Sequence, residues 1–406
     1  MRRLYTLFII ASLSLASAIA QETGTPLEGN IYYRVRNFGS DRYVYVRDNY
    51  DGSDLMRQVG DFGAIELWKG VSTIDDPATV IYIIKYSNGT YNLQAQGTGV
   101  RELTGFSVHI TERLKDGTYK VYATKDEGHV TVYLDDERSS QLNRQDGQLG
   151  TNNNNDKFRR WVCEKIETES ENNYFGIKPT IQLNGKFYRP FFASFPFKTA
   201  SPNMHVYYAS KITGAEVTLK EIGGEIPAST PVIIECASDN PSNNRIELLT
   251  KKPAAIKNNK LVGVYFCNGE RGKESTDAYK AFNADTMRVL MAVGDKLMLS
   301  NDETKLLRSK VLKEIEAVDW DSPDEDDIEV VCIPSNTCFL KVDSDTPAQL
   351  EVRFEGMGLD EILAESKDND AVGVYSLSGT QLRTTNDVQG LPAGIYIVGG
   401  VKVVIK

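Results

Sequence analysis

The sequence predicts an all-β chain made of several small units. Short runs of alternating apolar residues, rich in Val, Ile, Tyr and Phe, recur along its 406 residues and are bounded by Gly, Pro, Asn and Asp. Between residues 172 and 302 no segment of helical period reaches a convincing length. Near the N-terminus one strand–turn–strand pattern is written three times, which means symmetric or stacked units rather than one long meander. The length exceeds one ordinary domain.

Residues 1–20, MRRLYTLFIIASLSLASAIA, place two arginines before an apolar run and end it with small residues, the pattern of a secretory signal peptide. Cleavage is expected between Ala20 and Gln21. The run is too short for an unassisted membrane span, and no later segment is long and apolar enough to be one. Losing Arg2 and Arg3 takes the formal net charge from -10 to -12. So acidic a chain is a poor partner for nucleic acid or an anionic membrane surface.

Residues 26–168 contain the three echoes: YYRVRNFGSDRYVYVRD from Tyr32, IYIIKYSNGTYNLQAQG from Ile81 and TYKVYATKDEGHVTVYLDD from Thr118. Asn88-Gly89 is the strongest turn signal among them. Alignment sets Tyr33, Tyr82 and Tyr119 as equivalent. Trp68 and Trp161 follow two of the echoes, and Trp161 is expected in the core. With these features the segment resembles the ricin-type β-trefoil, in which each repeat carries a hairpin and ends on an aromatic residue in a shared core. The family's Gln-x-Trp signature is replaced, since Glu66-Leu67 precede Trp68 and Arg159-Arg160 precede Trp161.

Residues 172–302 hold FYRPFFASFPF, MHVYYASK, AEVTLKEIGGEIPASTPVIIEC and RVLMAVGDKLMLS, short strands that predict a sandwich-like all-β unit. GGEIPASTPVIIE, beside the aromatic run Phe191 to Phe197, resembles a segment of secreted proteins of the Bacteroidetes type. Residues 303–327 read as an acidic linker. In VDWDSPDEDD, carboxylates crowd around Pro323, but the glycine and spacing of an EF-type calcium loop are missing. Residues 328–406 form a C-terminal β-module with a short helical candidate at Leu359 to Ser366.

The module ends, from 371 to 406, in AVGVYSLSGTQLRTTNDVQGLPAGIYIVGGVKVVIK, whose runs IYIV and VKVVIK suggest a terminal hairpin. This end resembles the C-terminal sorting domain of the type IX secretion system at Gly373, Val374, Tyr375, Leu377, Gly379, Leu391, Pro392, Gly394, Tyr396, Val398 and Lys406. The resemblance implies an export machinery as partner and a destination outside the outer membrane.

Chemistry is sparsely signalled. His109, His129 and His205 lie far apart, away from any nucleophile-elbow context, and no metalloprotease, phosphate-loop or dinucleotide motif occurs. A non-catalytic protein without metal or cofactor is the expectation. Cysteines show no metal spacing. A bridge between Cys332 and Cys338, or Cys236 and Cys267, competes with buried thiols, and Cys163 is expected unpaired. Tyrosine is abundant in the hairpins, at Tyr32, Tyr33, Tyr43, Tyr45, Tyr91, Tyr122 and Tyr133. If Val130, Val132 and Leu134 point inward, Tyr133 and Asp135 point outward together, an aromatic platform beside a carboxylate that suits a sugar. The expected function is a secreted or cell-surface binding protein for glycan or another surface polymer. The alternative is a structural surface component, an adhesin or scaffold subunit, whose trefoil only packs.

Overall fold

A computed structural model describes residues 25–46, 65–68, 74–97, 101–102, 107–125, 130–137, 147–150, 155–264, 280–312, 327–355 and, in the tail, 373–376, 379–385, 387–388, 390–392, 394–398 and 401–405. It is all-β. Among the described residues no helix is long and apolar enough to cross a membrane.

The N-terminal unit contains strands β1 (Ile31–Asn37), β2 (Tyr43–Val46), β3 (Ile65–Trp68), β4 (Ile81–Lys85), β5 (Tyr91–Ala95), β6 (Arg101–Glu102), β7 (His109–Ile110), β8 (Val121–Lys125), β9 (Val130–Tyr133), β10 (Asp135–Glu137), β11 (Gly147–Gly150) and β12 (Trp161–Lys165). Its closure follows from cross-strand partners. Tyr33 faces Ile81, Tyr91 faces Val108 and Tyr119 faces Trp161. Two residues on, Ile83 faces Leu93, Ile110 faces Val121 and Cys163 faces Val35. The ring therefore runs β1, β4, β5, β7, β8, β12 and back to β1. Because side chains alternate along a strand, both sets point to the same interior, and all of them lie in or against one core. Each repeat contributes a tyrosine on its first strand and an aliphatic or tryptophan partner on its last, the trefoil-like arrangement that the echoes suggested.

The alignment of echoes was off by one repeat strand. Tyr82 is not equivalent to Tyr33: it pairs with Tyr32, their rings 4.8 Å apart, on the outer face of the barrel. Tyr91 takes the equivalent place. A shift of one residue moves a side chain to the other face of a sheet, and Ile81, not Tyr82, faces the barrel core.

The outward tyrosines have a use. Tyr32, Val80 and Tyr82 share a second core with Phe175, Phe191, Phe195 and Phe197, so the aromatic run of the middle unit packs on the trefoil wall. Tyr32 Oη donates to the Leu249 carbonyl at 3.1 Å. Beside it Gln96, at φ +60°, exchanges amide bonds with Asn336 at 3.2 and 3.0 Å and accepts from the Ser194 N–H at 3.3 Å. A Cβ on Gly97 would lie 2.2 Å from the Ser194 carbonyl oxygen, so the two backbones meet there only because the residue is glycine.

The middle unit is larger than 172–302. Its main sheet runs Ile181–Leu183, Lys186–Phe191, Val232–Cys236, His205–Thr213, Glu216–Glu221, Gln349–Phe354, Lys296–Ser300, Met287–Val293, Cys338–Lys341 and Leu261–Gly263. The Lys260 N–H then bonds the Ala209 carbonyl at 2.8 Å, curling the sheet back on itself around a third core. Two strands assigned by sequence to the C-terminal module, Cys338–Lys341 and Gln349–Phe354, are thus integral to this sheet. The stretch read as a linker is likewise structured at its ends: Leu307–Leu312 pairs with Asp327–Ile333. The apolar alternation in LLRSKVL was overruled by the acidic residues that follow it, whereas IEVVCI was read as a strand but of the C-terminal module. The carboxylates around Pro323 and the helical candidate at 359–366 lie outside the described residues, except for Asp327.

The tail forms its own four-stranded sheet, in the order Gln381–Arg383, Val374–Ser376, Gly394–Val398, Val401–Ile405. The last two strands make the expected terminal hairpin.

Candidate functional site

The sequence placed Tyr133 and Asp135 side by side on an outer face, and the structure separates them. Strand β9 ends at Tyr133. Leu134 turns into the barrel, its N–H bonded to the Val121 carbonyl at 2.8 Å and its own carbonyl accepting from Trp161 Nε1 at 3.0 Å. From there the chain crosses to another sheet, where Asp135 pairs with Gly150 and is fully buried. Next to it Asp136, also buried, accepts two bonds from Arg42 at 2.9 and 3.0 Å, an enclosed ion pair that ties β10 to the β1–β2 turn. Neither carboxylate reaches solvent. Strict alternation failed because it assumes one continuous strand.

Tyr133 stays on the outside and has other company. In the sheet β7–β8–β9, His109 faces Tyr122 and Tyr122 faces Tyr133. The three rings therefore form a row across the sheet, with centroids 5.2 Å apart for His109 and Tyr122 and 5.8 Å apart for Tyr122 and Tyr133. All three are half-buried. On the opposite face of the same strands, Ile110 and Val121 plug the barrel, which fixes the row outward. Two residues along, Thr124 faces Thr131, so a pair of exposed hydroxyls borders the rings on the same face.

Cations frame the other side. Lys120 Nζ lies 5.5 Å and Arg159 Cζ 5.4 Å from the centroid of Tyr133. Arg159 is delivered by a 3₁₀ turn, Asp156–Arg159, capped by the Asn155 side chain. The same turn carries Asp156, which accepts from Lys120 and from Arg160, and Arg160 also reaches Asp116. These bonds from Lys120 first, then Arg160, hold the Asp156 carboxyl below the usual carboxylate range.

The remaining tyrosines named from sequence serve other ends. Tyr32, Tyr33 and Tyr91 are buried, and Tyr43 donates to Glu164 at 3.1 Å. The Tyr45 side chain lies outside the described residues. His205 bonds Glu221 at 2.7 Å in the middle unit, and His129 lies outside the described residues. No group of His, Cys, Asp and Glu that could hold a metal occurs among the described residues.

Of the two states the sequence left open for Cys332 and Cys338, the bridge is not formed. Cys332 lies on the hairpin partner of Leu307–Leu312, whereas Cys338 belongs to the main sheet and points its thiol at the Val232 carbonyl at 3.3 Å. Burial pushes the Cys338 thiol up to about 12, the same value reached by Cys236 and by the unpaired Cys163. Cys267 lies outside the described residues.

Within the tail, Gly373, Gly379 and their neighbours are placed by backbone need. Gly373 has φ +141° and Gly379 φ +81°. Tyr375 faces Ile397, Gly394 faces Ile405 and Val398 faces Val401. Tyr396 Oη bonds the Pro392 carbonyl at 2.9 Å, with Leu391 half-buried beside it. Ala20, Gln21, Leu377 and Lys406 lie outside the described residues. Sequence reading missed His109 as the neighbour of Tyr122, and Lys120 and Arg159 as neighbours of Tyr133. Each is visible in its strand or turn, but only the pairing register brings them together.

No family model and no curated protein matches the chain. Among solved structures it is similar to the crystal structure of Cry35Ab1, with a TM-score of 0.23 and 14% identity over 44% of this chain and 50% of that one. It is also similar to a structure described as a mosquitocidal holotoxin, with a TM-score of 0.25 and 11% identity over 79% of this chain and 48% of that one. The chain thus spans about half the length of each.

Proposed function

We propose that this is a non-catalytic protein of the cell exterior that recognises glycan on the outer face of β7–β8–β9. The observation that carries this reading is the row His109–Tyr122–Tyr133 with hydroxyls at one border and cations at the other. Flat rings that keep a polar tip accept the apolar face of a sugar, while Thr124, Thr131, Lys120 and Arg159 supply hydroxyl and charged partners around it. Half-buried rings held by a rigid barrel lose little freedom on binding. Delivery to the exterior is the part supported only by the sequence, through the leader at 1–20 and the tail at 371–406.

The test is a glycan array probed with the whole chain from Gln21, because the trefoil shares a core with the middle unit. The wild type should bind a restricted set of glycans, and the double variant Tyr122→Ala, Tyr133→Ala should lose at least about tenfold in affinity for them, about 1.4 kcal/mol. An array on which the correctly folded wild type binds nothing supports the structural-component reading instead.

A further inference from the structure

A second surface, on the middle unit, has a different chemistry. Where the main sheet curls back on itself there is an open groove of about 840 Å³. Three lysines line it. Lys211 lies on His205–Thr213, Lys260 immediately precedes Leu261–Gly263, and Lys341 ends Cys338–Lys341. Leu261 pairs with Leu340, so Lys260 and Lys341 stand opposite each other at the next step of the register. The bond from the Lys260 N–H to the Ala209 carbonyl brings in the third strand. A bulge between Ala209 and Lys211 re-aims that strand at this point, with Ser210 Oγ turned to the Thr218 carbonyl at 3.1 Å.

The three ammonium groups are exposed, and among the described residues none has a carboxylate partner. What sets them apart is their convergence on one groove in a chain of formal net charge -10: Lys120, Lys165, Lys186, Lys198, Lys220, Lys251 and Lys296 lie within ion-pair distance of a carboxylate, and other exposed lysines such as Lys115, Lys178 and Lys257 do not line the groove. Like charges gathered in one concavity repel one another unless an anion enters, and a concave wall focuses their field on it.

We propose that this groove binds an anionic polysaccharide, a sugar chain bearing sulfate or carboxylate groups. Lysines act as separate point charges suited to anions spaced along a chain, where a phosphate clamp would favour the planar fork of arginine. The lining includes the Asn258 amide and the Thr346 hydroxyl, partners for sugar hydroxyls, and no aromatic ring on which a base could stack. Asp343 in the same wall accepts from sugar hydroxyls that lie between the charged groups of the chain. The groove lies in the middle unit, away from the aromatic row on the trefoil, and its ligand does not depend on the row having one.

Titration calorimetry of the whole chain with dextran sulfate and with heparin tests the proposal, neutral dextran serving as the blank. Both sulfated polymers should bind and weaken as salt is raised. The triple variant Lys211→Ala, Lys260→Ala, Lys341→Ala should lose at least about tenfold in affinity, and the single exposed change Lys341→Gln a smaller part. A triple variant elsewhere, Lys165→Ala, Lys198→Ala, Lys296→Ala, changes net charge equally and should retain binding. So should Tyr122→Ala with Tyr133→Ala, which separates this groove from the glycan site above. The proposal is overturned if neither sulfated polymer binds the wild type. It is equally overturned if the two triple variants lose affinity alike, or if a duplex DNA oligonucleotide binds as tightly as dextran sulfate.

Discussion

Trp161 shows how one side chain can join two levels of the structure. It completes the tyrosine layer opposite Tyr119 and its indole N–H holds the Leu134 carbonyl, at the bend that sends Asp135 inward. Trp161→Ala should cost about 3–5 kcal/mol, from lost transfer energy and an unfilled cavity. Urea unfolding at constant m-value measures it, and a change under about 1 kcal/mol would remove Trp161 from the core. Gln96 is the counterpart at the seam. Gln96→Gly keeps the left-handed backbone but leaves the buried amide of Asn336 with one partner fewer, an expected loss of about 1–3 kcal/mol in the same assay. The Trp161 position was legible in the sequence as an apolar strand start. Gln96 was not, because a buried polar residue carries no periodic signal and its partner is 240 residues away.

At the scale of elements, hairpins were legible and their neighbours were not. Asn88-Gly89 gave the β4–β5 turn, where Gly89 has φ +83°, and the runs after Pro392 gave the terminal hairpin. Pairing between distant strands, such as β1 with β12, has no local signature, so Tyr82 was aligned where Tyr91 belongs. The same limit hid the row His109–Tyr122–Tyr133. Its edge makes a pH prediction through Asp156. A carboxyl whose folded value is depressed contributes stability that is complete above its unfolded value, near 3.8, and is lost as pH falls through the lower folded value. Asp156→Asn should therefore be less stable than wild type at neutral pH and converge with it in acid below about 3.8, by a small margin because Asp156 is half exposed. Paired melting curves across pH check this, and a gap that widens in acid would contradict it.

The whole molecule departs most from its sequence outline in how its units are joined. The sequence suggested separate domains, whereas Tyr32 and Tyr82 share a core with the phenylalanines of the middle unit. Trefoil and middle unit should accordingly unfold in one transition by calorimetry and fluorescence alike, and two resolved transitions would show the seam to be weak. The tail pairs none of its strands with the other sheets among the described residues. Deleting 371–406 should leave that transition in place while the chain, in its native host, accumulates in the periplasm; equal surface amounts of both forms would remove the sorting role. The glycan reading is tested most directly by hydrogen exchange on the whole chain, with and without a glycan found on the array. Protection should rise in 107–111, 119–125 and 130–133 and along the turn 155–160, the segments that build the aromatic row. Protection confined to other segments, with these unchanged, would contradict the assignment.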